Sequence, residues 1–369
     1  MRKTDLCIDD SASDAKMMDQ IVLKKTAEPN FEFPQPIAPP PGDPLEIAPG
    51  IHWLRLPLPF QLDHVNVYLL EDQGGWTLLD TGLGSTQTRA LWEAILAGPL
   101  AGQTLSRIVV THFHPDHVGC AGWLSERFEV PLYMSQTDYL VALNLHLDPG
   151  ALDAEPFRQF YMRHGLDVGT TTRVVTQGHN YLKMLTGLPP TFRRLIAGER
   201  LQIGPREFEV LSGGGHAPEQ LMLFCRPEKL LFSADQVLAR ISLNVSVWAV
   251  DPEGDPLAIY LRSLEGLRTD LPGDSLVLPG HDLPFYGLHR RIEELRQHHE
   301  RRCRAIDEAC RQAPKSAAEL VPVLFRRQLD PHGMGFAFSE VLAHVNFMAR
   351  QNQLACDSGP DGVRRWRGV

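Results

Sequence analysis

The stretch THFHPDHVG, residues 111–119, follows the apolar run RIVV and places four potential metal ligands within six residues. His112 and His114 lie two residues apart, so on extended backbone their side chains share a face and can bind one ion together. Asp116 and His117 lie where the chain turns toward a helix, so they can point at a second ion. Zinc and the neighbouring transition metals bind nitrogen and oxygen ligands at about 2.0 to 2.2 Å. The stretch therefore predicts a metal centre at a strand-to-helix turn.

Three further polar residues end apolar runs downstream of this stretch. His216 follows EFEVLSGGG, Asp235 ends KLLFSAD, and His281 follows SLVLPG. The glycines before His216 permit unusual backbone angles and a close approach to a ligand. Taken alone, each residue could be an ordinary loop residue, but together with residues 111–119 they extend the candidate metal centre.

The composition is that of a globular protein large enough for two domains. The chain has 369 residues, of which 43% are hydrophobic and 22% charged, which argues against wholesale disorder, collagen or a membrane bundle. Its 45 acidic residues exceed its 36 Lys and Arg residues, for a formal net charge of −9. This balance disfavours long-range attraction to nucleic acid or anionic membranes.

The cysteines and the apolar runs indicate a cytoplasmic protein. The six cysteines are scattered without a C-x-x-C pair, which fits a reducing compartment. Aspartates interrupt the N-terminal stretch where a signal peptide needs an apolar segment. No apolar run approaches the roughly 18 residues that span a bilayer.

Strand-like and helix-like segments alternate, which predicts the α/β class and three regions. Residues 1–45 are polar and then Pro-rich and are expected to form an extended, poorly packed N-terminal arm. Residues 46–288 form the main domain, with a helical insertion at 136–196 that either packs or caps the site. Residues 289–369 form a small helical C-terminal domain, and an amphipathic stripe of Leu288, Ile292 and Leu295 starts at its boundary with the main domain.

In its motifs the chain resembles the metallo-β-lactamase superfamily. The matching stretches are LLDTG (78–82), THFHPDHVG (111–119), GGGHAPEQ (213–220), SAD (233–235) and PGHD (279–282). The resemblance covers roughly residues 47–288 and is specific for the fold and the metal site, but not for the substrate. It implies an αββα sandwich with the site at one edge of the two sheets.

The resemblance also implies a set of metal ligands. His112, His114 and His216 would hold the first ion, and Asp116, His117 and His281 the second. Asp235 would bridge both ions, and Asp116 and Asp235 are the candidate catalytic residues. Asp80 would orient ligands by hydrogen bonds. We expect two divalent ions per chain, with zinc favoured and iron or manganese as alternatives.

The ligand types narrow the function within the superfamily. His114 stands where the diiron flavoprotein branch typically has Glu, and Asp235 stands where class B1 β-lactamases carry Cys. We therefore expect a dinuclear hydrolase of the glyoxalase II kind, cleaving a small ester, thioester or lactone with a metal-bridging hydroxide. The alternatives are a metal-dependent phosphodiesterase or endoribonuclease, and a mononuclear iron persulfide dioxygenase.

Substrate contacts and partners are predicted from weaker signals. His64, Asn66, Asn244 and Trp248 are candidate substrate contacts or packing residues. The C-terminal unit resembles a winged-helix tail, but residues 287–350 carry 11 Lys or Arg against 8 Asp or Glu, a small excess. We therefore expect a small-molecule substrate, no nucleic acid, no membrane, and a C-terminal unit that buttresses the site or mediates a homodimer.

Overall fold

Two stacked β-sheets form the centre of the protein. The computed structural model describes residues 31–60, 62–148, 154–176, 180–326 and 328–369. In this part of the chain the first sheet follows the order β1 (Leu45–Ala48), β2 (Ile51–Pro57), β3 (His64–Asp72), β4 (Gly75–Leu79), β5 (Leu105–Val109), β6 (Leu132–Met134) and β7 (Arg193–Arg194). The second sheet follows the order β13 (Phe285–Tyr286), β12 (Leu276–Pro279), β11 (Leu230–Ala234), β10 (Gln220–Cys225), β9 (Arg206–Gly213) and β8 (Arg200–Ile203).

Helices cover the outer faces of both sheets. Those before the second sheet are α1 (Thr86–Ala97), α2 (Pro115–Val118), α3 (Ala121–Phe128), α4 (Gln136–Leu147), α5 (Glu155–Arg163), α6 (Val168–Thr176) and α7 (Asn180–Lys183). Those after β11 are α8 (Pro256–Asp270), α9 (Leu288–Gln312), α10 (Ala317–Leu324) and α11 (Pro331–Arg350). A hairpin of β14 (Leu354–Ser358) and β15 (Arg364–Gly368) follows α11. None of the described helices has the length and apolar character needed to cross a membrane.

Strand β3 shows why this sandwich has helices on its outside. Val65 and Val67 point to the outer face of the first sheet and pack in one cluster with Trp92 of α1. Tyr68 and Leu70 point the other way, into the cluster that lies between the two sheets. Because successive side chains of a strand alternate between faces, both faces of this strand are buried. The predicted α/β class and αββα sandwich are confirmed.

The C-terminal unit shares its core with the second sheet. Leu288, Ile292 and Leu295 of α9 are each no more than 1% exposed and lie in one apolar cluster with Val277 of β12. The chain itself therefore covers the stripe that the sequence predicts to be buried. The C-terminal unit consists of α9, α10, α11 and the β14–β15 hairpin. The domain division at residues 288 and 289 stays a prediction.

The insertion at 136–196 contributes to two apolar cores. Tyr139 of α4 and Tyr181 of α7 belong to the cluster on the first sheet, whereas Phe160 of α5 and Leu166 join the cluster of the C-terminal unit. Strand β7 also lies in this segment, although the sequence analysis predicts no strand there. These contacts favour the alternative in which the insertion packs as part of the core over the one in which it only caps the site.

The predicted N-terminal arm is partly packed. Residues 1–30 lie outside the described residues. Phe31 is 8% exposed and contacts the ring of Phe285, with 5.6 Å between centroids, and Glu32 bridges to Tyr286 of β13. The prediction of poorly packed backbone is therefore wrong at Phe31, because burying an aromatic ring against the sheet outweighs the extended, Pro-rich context.

Candidate metal centre

The loop between β5 and α2 presents the first four predicted ligands. His114 is the N-cap of α2, in extended backbone with φ −61° and ψ 143°, and Pro115 takes the first helical position. Proline suits that position because its missing N–H would have no helical partner. The turn therefore places His112 and His114 before the helix and Asp116 and His117 in its first turn.

Loops that follow strands of the second sheet bring the remaining ligands to this turn. His216 follows β9, Asp235 follows β11, and His281 follows β12. Oδ2 of Asp235 lies 3.4 Å from Nε2 of His216 and 3.3 Å from Nε2 of His281. The same oxygen lies 3.5 Å from Nε2 of His117 and 4.0 Å from Nε2 of His112. One carboxylate oxygen is thus surrounded by four imidazoles.

The seven predicted ligands form overlapping groups, each compact enough to hold an ion. These groups are His112, His114 and His216; His112, His117 and Asp235; and Asp116, His117 and His281. In the third group, Oδ2 of Asp116 lies 3.3 Å from Nε2 of His281 and 3.6 Å from Nε2 of His117. The structure brings all seven residues into one cluster, as the motif order predicts.

Hydrogen bonds at Nδ1 turn Nε2 of three of these histidines toward the centre. Nδ1 of His117 contacts Asp80 at 2.8 Å, that of His216 contacts the Asn244 carbonyl at 2.9 Å, and that of His281 contacts the His64 carbonyl at 2.7 Å. Among the described residues, Nε2 of His117 and of His216 has no hydrogen-bond partner, although both atoms are buried. Metal-binding histidines commonly donate from one nitrogen and coordinate with the other. These residues fit divalent ions.

The buried carboxylates make the cluster attractive to positive charge. Burial by itself lowers the pKa of His281, but Asp235 and Asp116 outweigh it and raise this pKa to about 10. Burial lowers the pKa of His112 and holds that of His114 at about 3, so both rings are neutral near pH 7. Neutral imidazoles and ionised carboxylates are the forms that coordinate cations, so His281 would release its proton when an ion binds.

Asp80 lies behind the ligands and contacts two segments of the loop. Its carboxylate accepts hydrogen bonds from the backbone N–H of Thr111 at 2.8 Å and from the Thr111 hydroxyl at 2.9 Å, besides its contact with His117. Its φ of 61° is in the left-handed region, which is uncommon for a residue with a side chain. This strained position directs the carboxylate at both Thr111 and His117, the orienting role expected of Asp80.

Gly280 leaves room for the centre between β12 and His281. A Cβ atom at this position would lie 2.3 Å from Oδ1 of Asp235 and 3.0 Å from Cε1 of His117. Any larger side chain would therefore displace a ligand. The glycine of the PGHD motif is required by this close approach.

Two of the predicted substrate contacts have other roles. Asn66 is 1% exposed; its amide donates to the carbonyls of Pro279 and Asp282, and its Oδ1 accepts from Trp53. For Asn66 the structure favours the packing alternative, because every polar atom of its side chain is already used inside the protein. His64 accepts the backbone N–H of Asp282 at Nε2, so it supports the His281 loop and its ring is not available to a substrate.

The other two predicted substrate contacts lie beside the metal cluster. The carbonyl of Asn244 holds His216, as described above, and its side-chain Oδ1 accepts from Ser246 at 2.5 Å. Trp248 is 42% exposed, and its ring centroid lies 6.1 Å from that of Phe113, which in turn lies 4.5 Å from His114. Trp248 therefore offers an exposed aromatic surface near the first group of ligands.

Asp138 is a positioning residue that the sequence analysis did not identify. This residue of α4 is buried and accepts the backbone N–H of Phe113 at 3.0 Å and that of Glu219 at 2.8 Å. Burial raises its pKa to about 6 despite these bonds. The Ser135-x-x-Asp138 pattern signals a helix start, but it does not reveal that Asp138 joins the two ligand loops.

Arg291 of α9 was also missed, and it connects the C-terminal unit to the loop after Asp235. Its guanidinium donates to the carbonyl of Leu238 at 2.6 Å and to that of Ile241 at 2.7 Å. On α11, the Ser339 carbonyl accepts the backbone N–H of Val247 at 3.1 Å in the same loop. The C-terminal helices therefore hold the loop that carries Asn244 and Trp248.

Known proteins resemble this chain over most of its length. A beta-lactamase domain protein from Burkholderia ambifaria is 40% identical, with a TM-score of 0.83 over 92% of this chain and 97% of that chain. A metallo-beta-lactamase family protein from Thermus thermophilus is 29% identical, with a TM-score of 0.74 over 88% of this chain and 100% of that chain. The probable metallo-hydrolase YqjP of Bacillus subtilis (strain 168) is 24% identical over 311 residues, which are 82% of this chain and 92% of the relative.

Two family models match the chain, one over the sandwich and one over the C-terminal unit. Residues 61–281 match the metallo-beta-lactamase superfamily, and this match contains all seven predicted ligands. Residues 303–369 match the metallo-beta-lactamase-like C-terminal domain. The fold, the ligand cluster and these matches agree, and the chain belongs to the metallo-beta-lactamase superfamily.

Proposed function

We propose that this metal-dependent hydrolase cleaves a small ester, thioester or lactone at a centre of two divalent ions, with zinc favoured. The observation that carries the proposal is the position of Asp235. Its Oδ2 lies within 4.0 Å of Nε2 atoms from both ligand sets, those of His112 and His216 and those of His117 and His281. A carboxylate shared in this way supports two neighbouring ions.

The seven residues would hold the two ions in two sets that share Asp235. His112, His114 and His216 would hold the first ion, and Asp116, His117 and His281 the second, with Asp235 contacting both. When bound, a pair of divalent ions lowers the pKa of a shared water toward about 7 and polarises a substrate carbonyl. Asp80 and Asp138 keep the ligand loops in place through the hydrogen bonds described above, so that the ligands need little rearrangement.

The surroundings of the cluster support an acyl substrate with an apolar portion. The exposed ring of Trp248 lies beside the buried ring of Phe113, which in turn contacts His114. Two arginines near the His281 loop are already paired: Arg240 contacts Asp282 at 2.8 Å, and Arg55 lies 3.6 Å from Asp63. These two arginines are therefore not free to bind the further phosphates of a nucleic acid, whereas a carbonyl group needs no extra cation.

A substrate panel tests the proposal. We expect the zinc-loaded protein to hydrolyse acyl esters, thioesters or lactones, and Asp235→Asn to lose this activity and part of its metal. Asp72→Asn is the matched control. Asp72 has a side chain only 3% exposed, but it ends β3, about 25 Å from His64 at the start of that strand.

The panel also decides between the alternatives. Turnover confined to phosphodiesters or RNA would replace the acyl proposal with the phosphodiesterase one. Oxygen consumption with a persulfide, together with one iron per chain, would replace hydrolysis with the dioxygenase reaction. Equal acyl turnover by Asp235→Asn and Asp72→Asn would contradict the proposed role of the cluster.

A further inference from the structure

The described residues contain one more group of potential metal ligands, far along the chain from the first cluster. His298 and His299 of α9 and Glu340 of α11 each offer a ligand atom, and these three atoms lie within 4.8 Å of one another. The group shares no residue with the seven ligands described above. We propose that His298, His299 and Glu340 form a separate binding site for a divalent transition-metal ion, which connects α9 to α11.

Hydrogen bonds in this group orient His299 as they orient the histidines of the main cluster. Nδ1 of His344 lies 2.7 Å from the Glu340 carbonyl, so this nitrogen carries the proton and Nε2 of His344 is an acceptor. Nδ1 of His299 lies 3.2 Å from that acceptor and therefore donates to it. Nε2 of His299 is left with a free lone pair.

This lone pair is buried and has no partner among the described residues. His299 is 1% exposed, and its Nε2 makes no hydrogen bond there. An unpaired buried acceptor costs free energy unless something binds it. Burial also keeps the pKa of His298 at about 3 and that of His299 well below its usual value, so both rings are neutral. Neutral imidazoles suit zinc, copper, nickel or iron.

Glu340 supplies the negative charge of the site and is itself held in place. The carboxylate is 4% exposed, and its Oε1 is paired with the guanidinium of Arg302. Coordinating carboxylates are commonly oriented by an outer partner of this kind. The positive charge of Arg302 also repels a cation, so we expect weaker binding here than at the main cluster, where two carboxylates face the histidines.

A groove borders one of the three proposed ligands, His299. This groove, about 1180 Å³ in volume, lies between α8, α9 and α11 and includes His299 and Cys303 in its lining. On the other side, a ring nitrogen of His298 lies 3.3 Å from the Ser242 hydroxyl, in the loop after Asp235. An ion bound here would therefore hold together two helices that support that loop.

The test uses the full chain with the main cluster disabled by His112→Ala and His117→Ala, which together remove at least one ligand from each of its three groups. This parent protein is dialysed against Zn²⁺ or Co²⁺ alone, and bound metal is counted by mass spectrometry beside the thermal unfolding midpoint. We expect one ion per chain and a higher midpoint with metal. Adding His299→Gln should remove that ion and the rise in the midpoint.

Two further variants make the outcome decisive. His289→Gln is the matched control, because His289 lies on the same helix and contacts the Leu271 carbonyl outside this group; it should keep the ion. Glu340→Gln preserves shape and should also lose the ion, which covers the case in which His299→Gln does not fold. No metal in the parent protein, or one ion retained in either His299→Gln or Glu340→Gln, would overturn the proposal.

Discussion

Replacing Asp80 by asparagine tests how much of the metal affinity depends on a residue that contacts no ion. The new side chain would keep one oxygen for the Thr111 N–H but would face Nδ1–H of His117 with an NH₂ group, so that two donors meet. Loss of such an outer partner typically weakens metal binding by about 10- to 100-fold, which corresponds to about 1.4 to 2.7 kcal/mol. Since three hydrogen bonds converge on Asp80, we expect a value near the upper end of this range.

The assay is a competition between the protein and a chelator of known zinc affinity, with urea unfolding of the metal-free protein alongside. Asp72→Asn is again the control, because Asp72 accepts hydrogen bonds from Thr77 and Ser106 far from the cluster. We expect both variants to lose stability but only Asp80→Asn to lose zinc affinity. Zinc affinities of the two variants within about threefold of each other would refute the reasoning.

Three more predictions follow from individual contacts. Trp248→Ala should raise KM by roughly 5- to 30-fold with little change in kcat, as measured by steady-state kinetics, because it removes about 1 to 2 kcal/mol of apolar contact; a loss confined to kcat would contradict this. Truncation after Gly287 should cause aggregation visible by light scattering, because it exposes the partners of Leu288 and Ile292; a monodisperse product would contradict this. Burial lowers the pKa of His164 to about 4, so its contribution to stability is present above about pH 6.5 and is lost as the pH falls toward 4. Between pH 7 and 4 the wild-type free energy of unfolding should therefore fall by up to about 3 kcal/mol more than that of His164→Phe, measured by urea unfolding.

The sequence could predict the candidate metal ligands because they stand in short, recognisable stretches of sequence. Residues 111–119 fix four ligands within one turn, and His216, Asp235 and His281 each follow a strand, so the sheet delivers them to a common edge. The alternation of β3 also contained a signal that was not used. Asn66 shares a strand face with Tyr68 and Leu70, which indicates burial between the sheets and argues against contact with a substrate.

The contacts that support the cluster could not be predicted, because they join residues far apart in sequence. Asp138 accepts the N–H groups of Phe113 and Glu219, and Arg291 binds the carbonyls of Leu238 and Ile241. No spacing rule connects such pairs, since they depend on how helices pack on the sandwich. For the same reason, the role of the C-terminal unit in holding the loop after Asp235 emerged only from the structure.

The most direct test of the dinuclear centre is X-ray absorption spectroscopy of the zinc-loaded protein. Two ions that share Asp235 should give a metal-to-metal scattering distance of about 3.5 to 4 Å. We expect this signal in the wild-type protein and in Asp72→Asn, and its loss in Asp235→Asn. A fully loaded wild-type protein without any metal-to-metal signal would contradict the account.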